Sequence, residues 1–309
     1  MAKKVIKIAT RQSILAQVQA RAVGDAIVKK HPDYEYELHF ITTTGDKFMG
    51  DLSKVGGKVA FVKEVDEALL NGEAHIAAHS MKDVPTDMPE GLVIKAMLPR
   101  ADIRDAIVCR EGEDFANLKE GAIVGTSSVR RAAQLRYAFP HLEVKPVRGN
   151  VQTRLDKLRK REYDALVLAK AGLDRLDLEK RISDVLEPDM MCPAVSQGAI
   201  GVECRADDAE MVKIVESIND EPTWHCVNTE RAYLDHLGGS CHTPIAGFVE
   251  ITKGGNLRLI GLVASEDGKQ ILRTRHKMGY DEWEKLARTA ADDLFDQGAE
   301  AIIAATHRD

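Results

Sequence analysis

The chain has 309 residues, a formal net charge of -6 and five cysteines. This length exceeds what one small core needs, so we expect two or three domains. The negative net charge disfavours binding to nucleic acid through overall charge. No apolar run reaches the ~20 residues that span a bilayer. The N-terminal M-A-K-K-V-I-K-I-A-T alternates like a strand, unlike a signal peptide. Cysteines without framework spacing favour reduced thiols in the cytoplasm. We also expect a monomer without nucleic-acid or membrane partners.

The first hundred residues alternate between strand and helix patterns. Val5–Ala9 and His75–His79 are predicted strands, and an alternating stretch around Phe40 predicts another between them. Apolar residues recur at helical spacing after Ser13 and after Phe61. The segment 42–58 is rich in glycine and lysine and has little to bury, which predicts a mobile loop. These patterns predict a β-α-β-α-β lobe.

The same order returns from Asp105. Predicted strands of the second lobe are Ala106–Cys109, Ala122–Gly125, Glu143–Val147 and Asp164–Ala169. Met191–Gly198 is predicted to lead back to the first lobe, where Ala199–Glu203 adds a strand. A third unit follows Pro222, with a helix, three short antiparallel strands and a final helix over residues 281–297. We therefore expect domain 1 to comprise residues 1–98 and 199–218, domain 2 residues 99–198 and domain 3 residues 219–309.

Polar residues follow the predicted strands abruptly, as in H-S-M-K-D-V-P at 79–85. In open α/β sheets the ligand crevice lies beyond the carboxyl ends of the strands. The first lobe places there Arg11, Ser13, Lys54, Lys58, Lys82 and Asp83, and the second Thr126, Ser127, Ser128, Arg130, Arg131, Arg148, Arg154 and Arg175. A single arginine is usually a solvated surface charge, but this set predicts a cleft for a ligand with many carboxylates.

Cys241 lies in L-G-G-S-C-H-T-P-I, after two glycines and before the first apolar residues. Most free cysteines are small buried hydrophobes, but this setting favours a thiol available for covalent attachment. A papain-like pair with His242 is an alternative, although adjacent residues seldom point the same way. Zinc bound by His225–Cys226 and Cys241–His242 would lack a C-x-x-C clamp, so no metal is expected.

Nine motifs in order resemble the porphobilinogen deaminase family, also called the hydroxymethylbilane synthases. They are I-A-T-R-Q-S, K-V-G-G-K, F-V-K-E, H-S-M-K-D-V-P, V-G-T-S-S-V-R-R, V-R-G-N-V-Q-T-R-L, A-G-L-D-R-L, P-A-V-S-Q-G-A-I-G-V-E and G-G-S-C-H-T-P-I. The resemblance covers essentially the whole chain. It departs at Ser196 and Ser240, where the family often has glycine, and in K-V-A-F at 58–61.

The resemblance implies two doubly wound α/β lobes like those of two-domain anion-binding proteins, plus a smaller α+β C-terminal domain with a three-stranded antiparallel sheet. It also implies a dipyrromethane cofactor joined by a thioether to Cys241. Implied catalytic residues are Asp83 and Lys82. Implied cofactor-binding residues are Cys241, Ser80, Lys82, Asp83, Thr126, Ser127, Ser128, Arg130, Arg131 and Gln197. Implied substrate-binding residues are Arg11, Ser13, Lys54, Lys58, Phe61, Arg148, Arg154 and Arg175.

The implied reaction is the stepwise condensation of four porphobilinogen molecules, with loss of ammonia, followed by hydrolysis that releases the linear tetrapyrrole hydroxymethylbilane and leaves the dipyrrole on Cys241. Each pyrrole brings an acetate and a propionate to the predicted cationic strand ends. An ionised Asp83 would stabilise positive charge that develops on the pyrrole. The alternative from another class is a non-catalytic two-lobe receptor for a polycarboxylate ligand, whose exported form would need a signal peptide.

Overall fold

A computed structural model describes residues 3–47, 60–238 and 243–306. The chain divides into two compact units, Met1–Ala101 with Gly198–His225, and Asp102–Gln197 with Cys226–Asp309. Most of the predicted loop at 42–58 lies outside the described residues. Within the described ranges, no helix combines the length and the apolar character needed to cross a membrane. The division into three domains stays a prediction.

Strands and helices alternate along most of the described chain. The strands are β1 Lys4–Arg11, β2 Tyr34–Ile41, β3 Ile76–Ser80, β4 Leu92–Met97, β5 Asp105–Cys109, β6 Ile123–Gly125, β7 Glu143–Lys145, β8 Ala165–Ala169, β9 Asp184–Leu186, β10 Ile200–Arg205, β11 Ile245–Ile251, β12 Leu257–Ala264 and β13 Ile271–Met278. The helices are α1 Ile14–Lys30, α2 Thr44–Lys47, α3 Lys63–Leu70, α4 Val129–Ala138, α5 Val151–Arg159, α6 Lys170–Asp174, α7 Ala209–Ser217, α8 Glu221–His236, α9 Trp283–Asp296 and α10 Ala299–Ala305.

The first unit is built on a five-stranded sheet in the order β2-β1-β3-β10-β4. The first three of these strands are parallel, and β10 runs antiparallel to both of its neighbours. Ile8 and Val23 belong to a core between the sheet and α1, with α7 on the same face. Ala9 and Leu69 belong to a second core on the α3 side. Both faces of the sheet are therefore covered, as in doubly wound folds.

The second unit repeats this plan with the strand order β7-β6-β8-β5-β9. Strand β5 runs antiparallel to β8 and β9, while β6 is parallel to β7 and β8. Leu135 of α4 packs in the core on one face, and Leu155 of α5 packs in the core on the other. The carboxyl ends of β6, β7 and β8 therefore meet at one edge of the sheet.

The same unit also contains the antiparallel sheet β11-β12-β13. One face of this sheet shares a core with α9 and α10, in which Leu259 and Leu294 are fully buried. Phe248 and Ile260 form another apolar cluster with Ala133 of α4. The three-stranded sheet therefore packs against α4, which covers one face of the second α/β sheet.

The predicted fold class is confirmed, with two doubly wound α/β sheets and a three-stranded antiparallel sheet. The structure adds strands β4 and β9, which the sequence analysis missed. It also corrects the second lobe, because β5 is not the first strand of a repeated β-α-β series. It lies antiparallel beside β8, in the place that β10 takes in the first sheet. The final helix ends at Asp296, and α10 follows it.

Candidate active site

The end of β1 presents Arg11 to an acidic partner. Its guanidinium binds the carboxylate of Asp46 on α2, with Nε 3.1 and 3.2 Å from the two oxygens and Nη2 also bonded. The same guanidinium lies 4.3 Å from the centre of the Phe61 ring. Asp46 also accepts a hydrogen bond from the Thr43 hydroxyl, at 2.8 Å. Arg11 is therefore oriented by a carboxylate and an aromatic face at once.

Two predicted site serines are helix caps. The Ser13 hydroxyl accepts from the backbone N–H of Ala16 at the start of α1, and the Ser128 hydroxyl accepts from the N–H of Arg131 at the start of α4. Each cap satisfies a backbone donor that the first turn leaves unpaired. A serine hydroxyl that accepts in this way still carries a hydrogen that it can donate. Both positions can therefore bind an anion at a helix N-terminus.

Strand β3 leads directly into the short 3-10 turn Met81–Asp83. The Ser80 hydroxyl accepts from the Gln19 side chain at 2.7 Å. The Met81 N–H donates to the carbonyl of Ala199 at 3.1 Å. Met81 itself is fully buried, whereas Lys82 and Asp83 on the same turn are partly exposed. The turn is thus fixed on its buried side and presents one cationic and one anionic side chain.

Arg130 and Arg131 surround a buried carboxylate at the start of β5. Asp105 is 0% exposed and accepts from Arg130 Nη2 at 2.7 Å, from Arg131 Nη2 at 2.7 Å and from the Gln197 amide at 2.9 Å. Burial alone raises the pKa of Asp105, but the two guanidinium groups hold it well below its ordinary value. The Arg130 Nε is buried without a hydrogen-bond partner. Since two guanidinium groups face one carboxylate, the cluster retains an excess positive charge.

The remaining predicted arginines of the second unit lie near the ends of β7 and β8. Arg148 follows β7, and Arg154 on α5 donates from Nε to the carbonyl of Gly149 at 2.8 Å. Arg175 follows α6, and burial lowers the pKa of its guanidinium against an opposing effect of Asp174. All three are partly buried. They add cationic groups at the edge of the sheet where the strands end.

Comparison with known proteins places this chain in a family. Residues 6–213 match the family model described as "Porphobilinogen deaminase, dipyromethane cofactor binding domain", and residues 224–296 match the family's C-terminal domain. The chain belongs to the porphobilinogen deaminase family. The first match confirms the predicted dipyrromethane cofactor, and membership in this enzyme family confirms the prediction of a transferase.

The family match extends along the whole chain. The porphobilinogen deaminase of Macrococcus caseolyticus is 43% identical over 309 residues, which cover 99% of both chains. That of Halalkalibacterium halodurans is 44% identical over 303 residues, covering 97% of this chain and 96% of the relative. Among solved structures, the methionine binding protein MetQ is 14% identical with a TM-score of 0.46, and the match covers 74% of this chain and 94% of MetQ.

The predicted site residues of this deaminase fall into separate groups. Around the first sheet, the structure brings Arg11 together with Phe61, and Ser80 with Lys82 and Asp83. In the second unit it brings Arg130, Arg131 and Gln197 together on one carboxylate, while Thr126 and Ser127 lie just before the Ser128 cap. Lys54, Lys58 and Cys241 lie outside the described residues. The roles of all these residues stay predictions.

The sequence analysis missed two acidic partners in the porphobilinogen deaminase fold. It took Asp83 as the only carboxylate among the cationic strand ends, whereas Asp46 binds Arg11 and Asp105 binds both Arg130 and Arg131. Asp105 comes directly before the apolar run A-I-V-C. A charge at the edge of a buried strand needs a partner, and that was the available signal.

Proposed function

We propose that this chain is a hydroxymethylbilane synthase that condenses four porphobilinogen molecules head to tail, with loss of ammonia, on a dipyrromethane joined to Cys241. Hydrolysis then breaks the bond between the cofactor and the first added ring, which releases the linear tetrapyrrole and leaves the dipyrromethane on the protein. The observation that supports this proposal most directly is the grouping of cations and hydroxyls where parallel strands of each sheet end, within a chain of the deaminase family. A substrate with two carboxylates on each ring requires such groups. We also propose that the protein acts as a cytoplasmic monomer without nucleic-acid partners.

The donor set around α4 fits a cofactor that carries carboxylates. The buried Nε–H of Arg130 lacks a partner, and the cluster with Arg131 and Asp105 has an excess positive charge. An anionic group would complete both the hydrogen bonding and the charge balance. In this proposal Thr126, Ser127, Ser128 and Gln197 also bind the cofactor, as do Ser80, Lys82 and Asp83. When bound, the cofactor supplies the free pyrrole carbon to which the first substrate is joined.

Asp83 is the proposed catalytic carboxylate. Departure of ammonia from porphobilinogen breaks a carbon–nitrogen bond and leaves positive charge on the substrate ring. An ionised Asp83 would accept a hydrogen bond from the pyrrole N–H and stabilise this charge. Lys82 on the same turn would bind a carboxylate of the ring. The buried contacts of Met81 hold both side chains in place before substrate arrives.

Arg11 would bind a substrate carboxylate together with Ser13. In the structure its guanidinium is held side-on by Asp46, against the ring of Phe61. A substrate carboxylate would therefore share or replace Asp46 as the partner of Arg11. The proposed substrate site also includes Lys54, Lys58, Arg148, Arg154 and Arg175.

Intact-protein mass spectrometry tests the cofactor assignment. The purified protein should be heavier than its sequence by two linked pyrroles, and Cys241→Ser should have the sequence mass and no turnover, since a hydroxyl is a poorer nucleophile than a thiol. Cys226→Ser is a matched control, because Cys226 is a buried cysteine outside the proposed site. An unmodified wild-type mass, or a Cys241→Ser protein that keeps the added mass, would contradict the attachment.

Asp83 is tested by two substitutions. Asp83→Ala should abolish turnover while the chain folds normally, and Asp83→Glu should keep a small fraction because the charge survives at a shifted position. Circular dichroism and thermal melting check the fold of both variants. Near-normal turnover by Asp83→Ala would remove this residue from the mechanism. The receptor alternative is disfavoured by the family match, and turnover of porphobilinogen by the wild-type protein would exclude it.

A further inference from the structure

Three ionisable side chains meet inside the first unit, outside the site described above. Asp66 of α3, His79 of β3 and Glu203 of β10 are 9%, 8% and 1% exposed. The imidazole Nε2 of His79 lies 2.8 Å from Oε2 of Glu203, and one polar atom of each residue lies within 4.8 Å of the others. Charges so deeply buried are stable only when they are paired. The protons bound to these three side chains must therefore leave their charges paired.

The contacts indicate where these protons lie. Burial, and then the charge of Glu203, raise the pKa of Asp66 to about 7. Burial lowers the pKa of His79, but its hydrogen bond to Glu203 and the nearby carboxylates raise it above its ordinary value overall. Oε1 of Glu203 is buried and has no hydrogen-bond partner. The raised pKa values of Asp66 and His79 favour a proton on each of these two residues beside the Glu203 carboxylate, and a protonated Asp66 is placed to donate to it.

This cluster lies directly before the turn that carries Lys82 and Asp83. His79 is the residue before Ser80, and the pairing of β3 with β10 places it beside Gly201. The side chain of Met81 occupies the space over the same glycine, where an added Cβ would lie 2.0 Å from Sδ. The charge of Asp83 also acts on His79 and raises its pKa further. Any change in how β3 sits on β10 would therefore move the turn.

We propose that Asp66, His79 and Glu203 form a positioning unit, in which a proton on Asp66 lets Glu203 hold His79 and so fixes Lys82 and Asp83 for the condensation. The catalytic part of this inference rests on the proposed function. The proton-holding part does not, because it concerns the stability of the first unit alone. The other charged groups that act on the cluster are Glu67 from α3 and Asp83 from the turn.

Two isosteric substitutions separate this role from simple packing. Both Asp66→Asn and Glu203→Gln replace a buried carboxyl by an amide. Since the pKa of about 7 leaves Asp66 mostly protonated at pH 6, Asp66→Asn should keep kcat within about twofold at that pH. Glu203→Gln should instead lower kcat by about tenfold or more, with KM nearly unchanged. Equal losses in the two variants would overturn the proposal. Glu73→Gln is the control, because Glu73 is exposed and lies outside the cluster.

Thermal melting across pH tests the proton on Asp66 without any assay of activity. A carboxyl whose pKa is raised in the fold contributes stability that is lost as pH rises through the folded pKa. The wild-type melting temperature should therefore fall between pH 6 and 8, and the fall should be smaller in Asp66→Asn, in which only the His79 contribution remains. An unchanged fall in Asp66→Asn would overturn the assignment, whatever the enzyme does. A stoichiometric divalent ion in wild-type protein that Asp66→Asn and Glu203→Gln both lose would also overturn it, because the cluster would then be a metal site.

Discussion

The two five-stranded sheets share one plan but stabilise buried charge in different ways. Read strand by strand, β2-β1-β3-β10-β4 corresponds to β7-β6-β8-β5-β9, and in each sheet the fourth strand is the antiparallel one. Each of these two strands carries a carboxylate with almost no exposed surface, Glu203 on β10 and Asp105 on β5. Topology alone therefore does not decide how such a carboxylate is compensated.

The partners of the two carboxylates make the difference. Asp105 faces the guanidinium groups of Arg130 and Arg131, whose charges hold the pKa of Asp105 well below its ordinary value. Glu203 faces His79 and Asp66, and the pKa of each of these two residues is raised above its ordinary value, that of Asp66 to about 7. The buried carboxylate of the second sheet is thus paired with permanent charges, whereas the pairing of the buried carboxylate in the first sheet depends on protons that its neighbours bind. We infer that the first sheet is the pH-sensitive half of the pair.

Removal of Asp105 should have the largest effect on stability. Asp105→Ala leaves two buried guanidinium groups without their carboxylate, and breaking a buried ion pair in this way costs about 3–5 kcal/mol in the free energy of unfolding. Chemical denaturation measures the loss. Glu113→Ala is the control, because it removes a more exposed partner of Arg110 and should cost less than about 1 kcal/mol. Similar losses in both variants would mean that Asp105 is not the centre of a buried network.

Gly201→Ala should have the next largest effect, in the first sheet. An added Cβ would lie 2.0 Å from the sulfur of Met81, which is 1% exposed. Overpacking of this kind costs about 1–3 kcal/mol, and it should also lower kcat because Met81 begins the turn with Lys82 and Asp83. The double variant Gly201→Ala/Met81→Ala should recover part of the stability relative to Met81→Ala alone. Simple additivity of the two changes would contradict the proposed clash.

Local periodicity predicted most of the fold. Buried runs such as those of β3 and β8, and the capped helices α1 and α4, follow from patterns that span a dozen residues. The directions of β5 and β10 do not follow from such local patterns. They depend on pairing between distant segments, such as that of Glu203 with Ala77. The three residues of β9 are too few to show a pattern. The failure on strand direction thus concerns contacts far apart in the chain, whereas the failure on β9 concerns its length.

The candidate site, too, could be predicted only in part from the sequence. Arg130 and Arg131 at the start of a helix predicted an anion, since positive charge is unfavourable there. The structure supplies one such anion within the protein, Asp105, which lies 25 residues before Arg130. Residue types thus predicted which charge is needed, but sequence spacing could not predict which carboxylate provides it. The assignment of the remaining positive charge to the cofactor stays a prediction.

Hydrogen exchange should show the contrast between the sheets within one protein. Because the pKa of Asp66 is about 7, loss of its proton between pH 6 and 8 should reduce the protection of β3 and β10 amides by about tenfold after correction for intrinsic rates. Amides of β5 and β8 should change less, since the pKa of Asp105 is far below this range. Mass spectrometry of peptic peptides gives both values in one sample. Equal changes in the two sheets would refute the contrast.

Ser196→Gly should have the smallest effect, and it should stabilise the protein. Ser196 precedes β10 and adopts a left-handed φ of 65°, where a side chain is strained. Its hydroxyl is buried without a hydrogen-bond partner, while its N–H donates to Glu230 at 2.6 Å. Glycine relieves the strain and removes the unpaired hydroxyl but keeps this N–H.

The gain from Ser196→Gly is limited, because glycine also makes the unfolded chain more flexible. We expect a net stabilisation of about 0.5–1 kcal/mol, measured as a rise in melting temperature. Asp177→Gly is the matched control, because Asp177 has a φ of 55° but an exposed side chain. It should gain only from the relief of backbone strain, so its melting temperature should rise less than that of Ser196→Gly. An equal rise would mean that the buried hydroxyl of Ser196 costs nothing, and a fall in Ser196→Gly would mean that the backbone there is not strained.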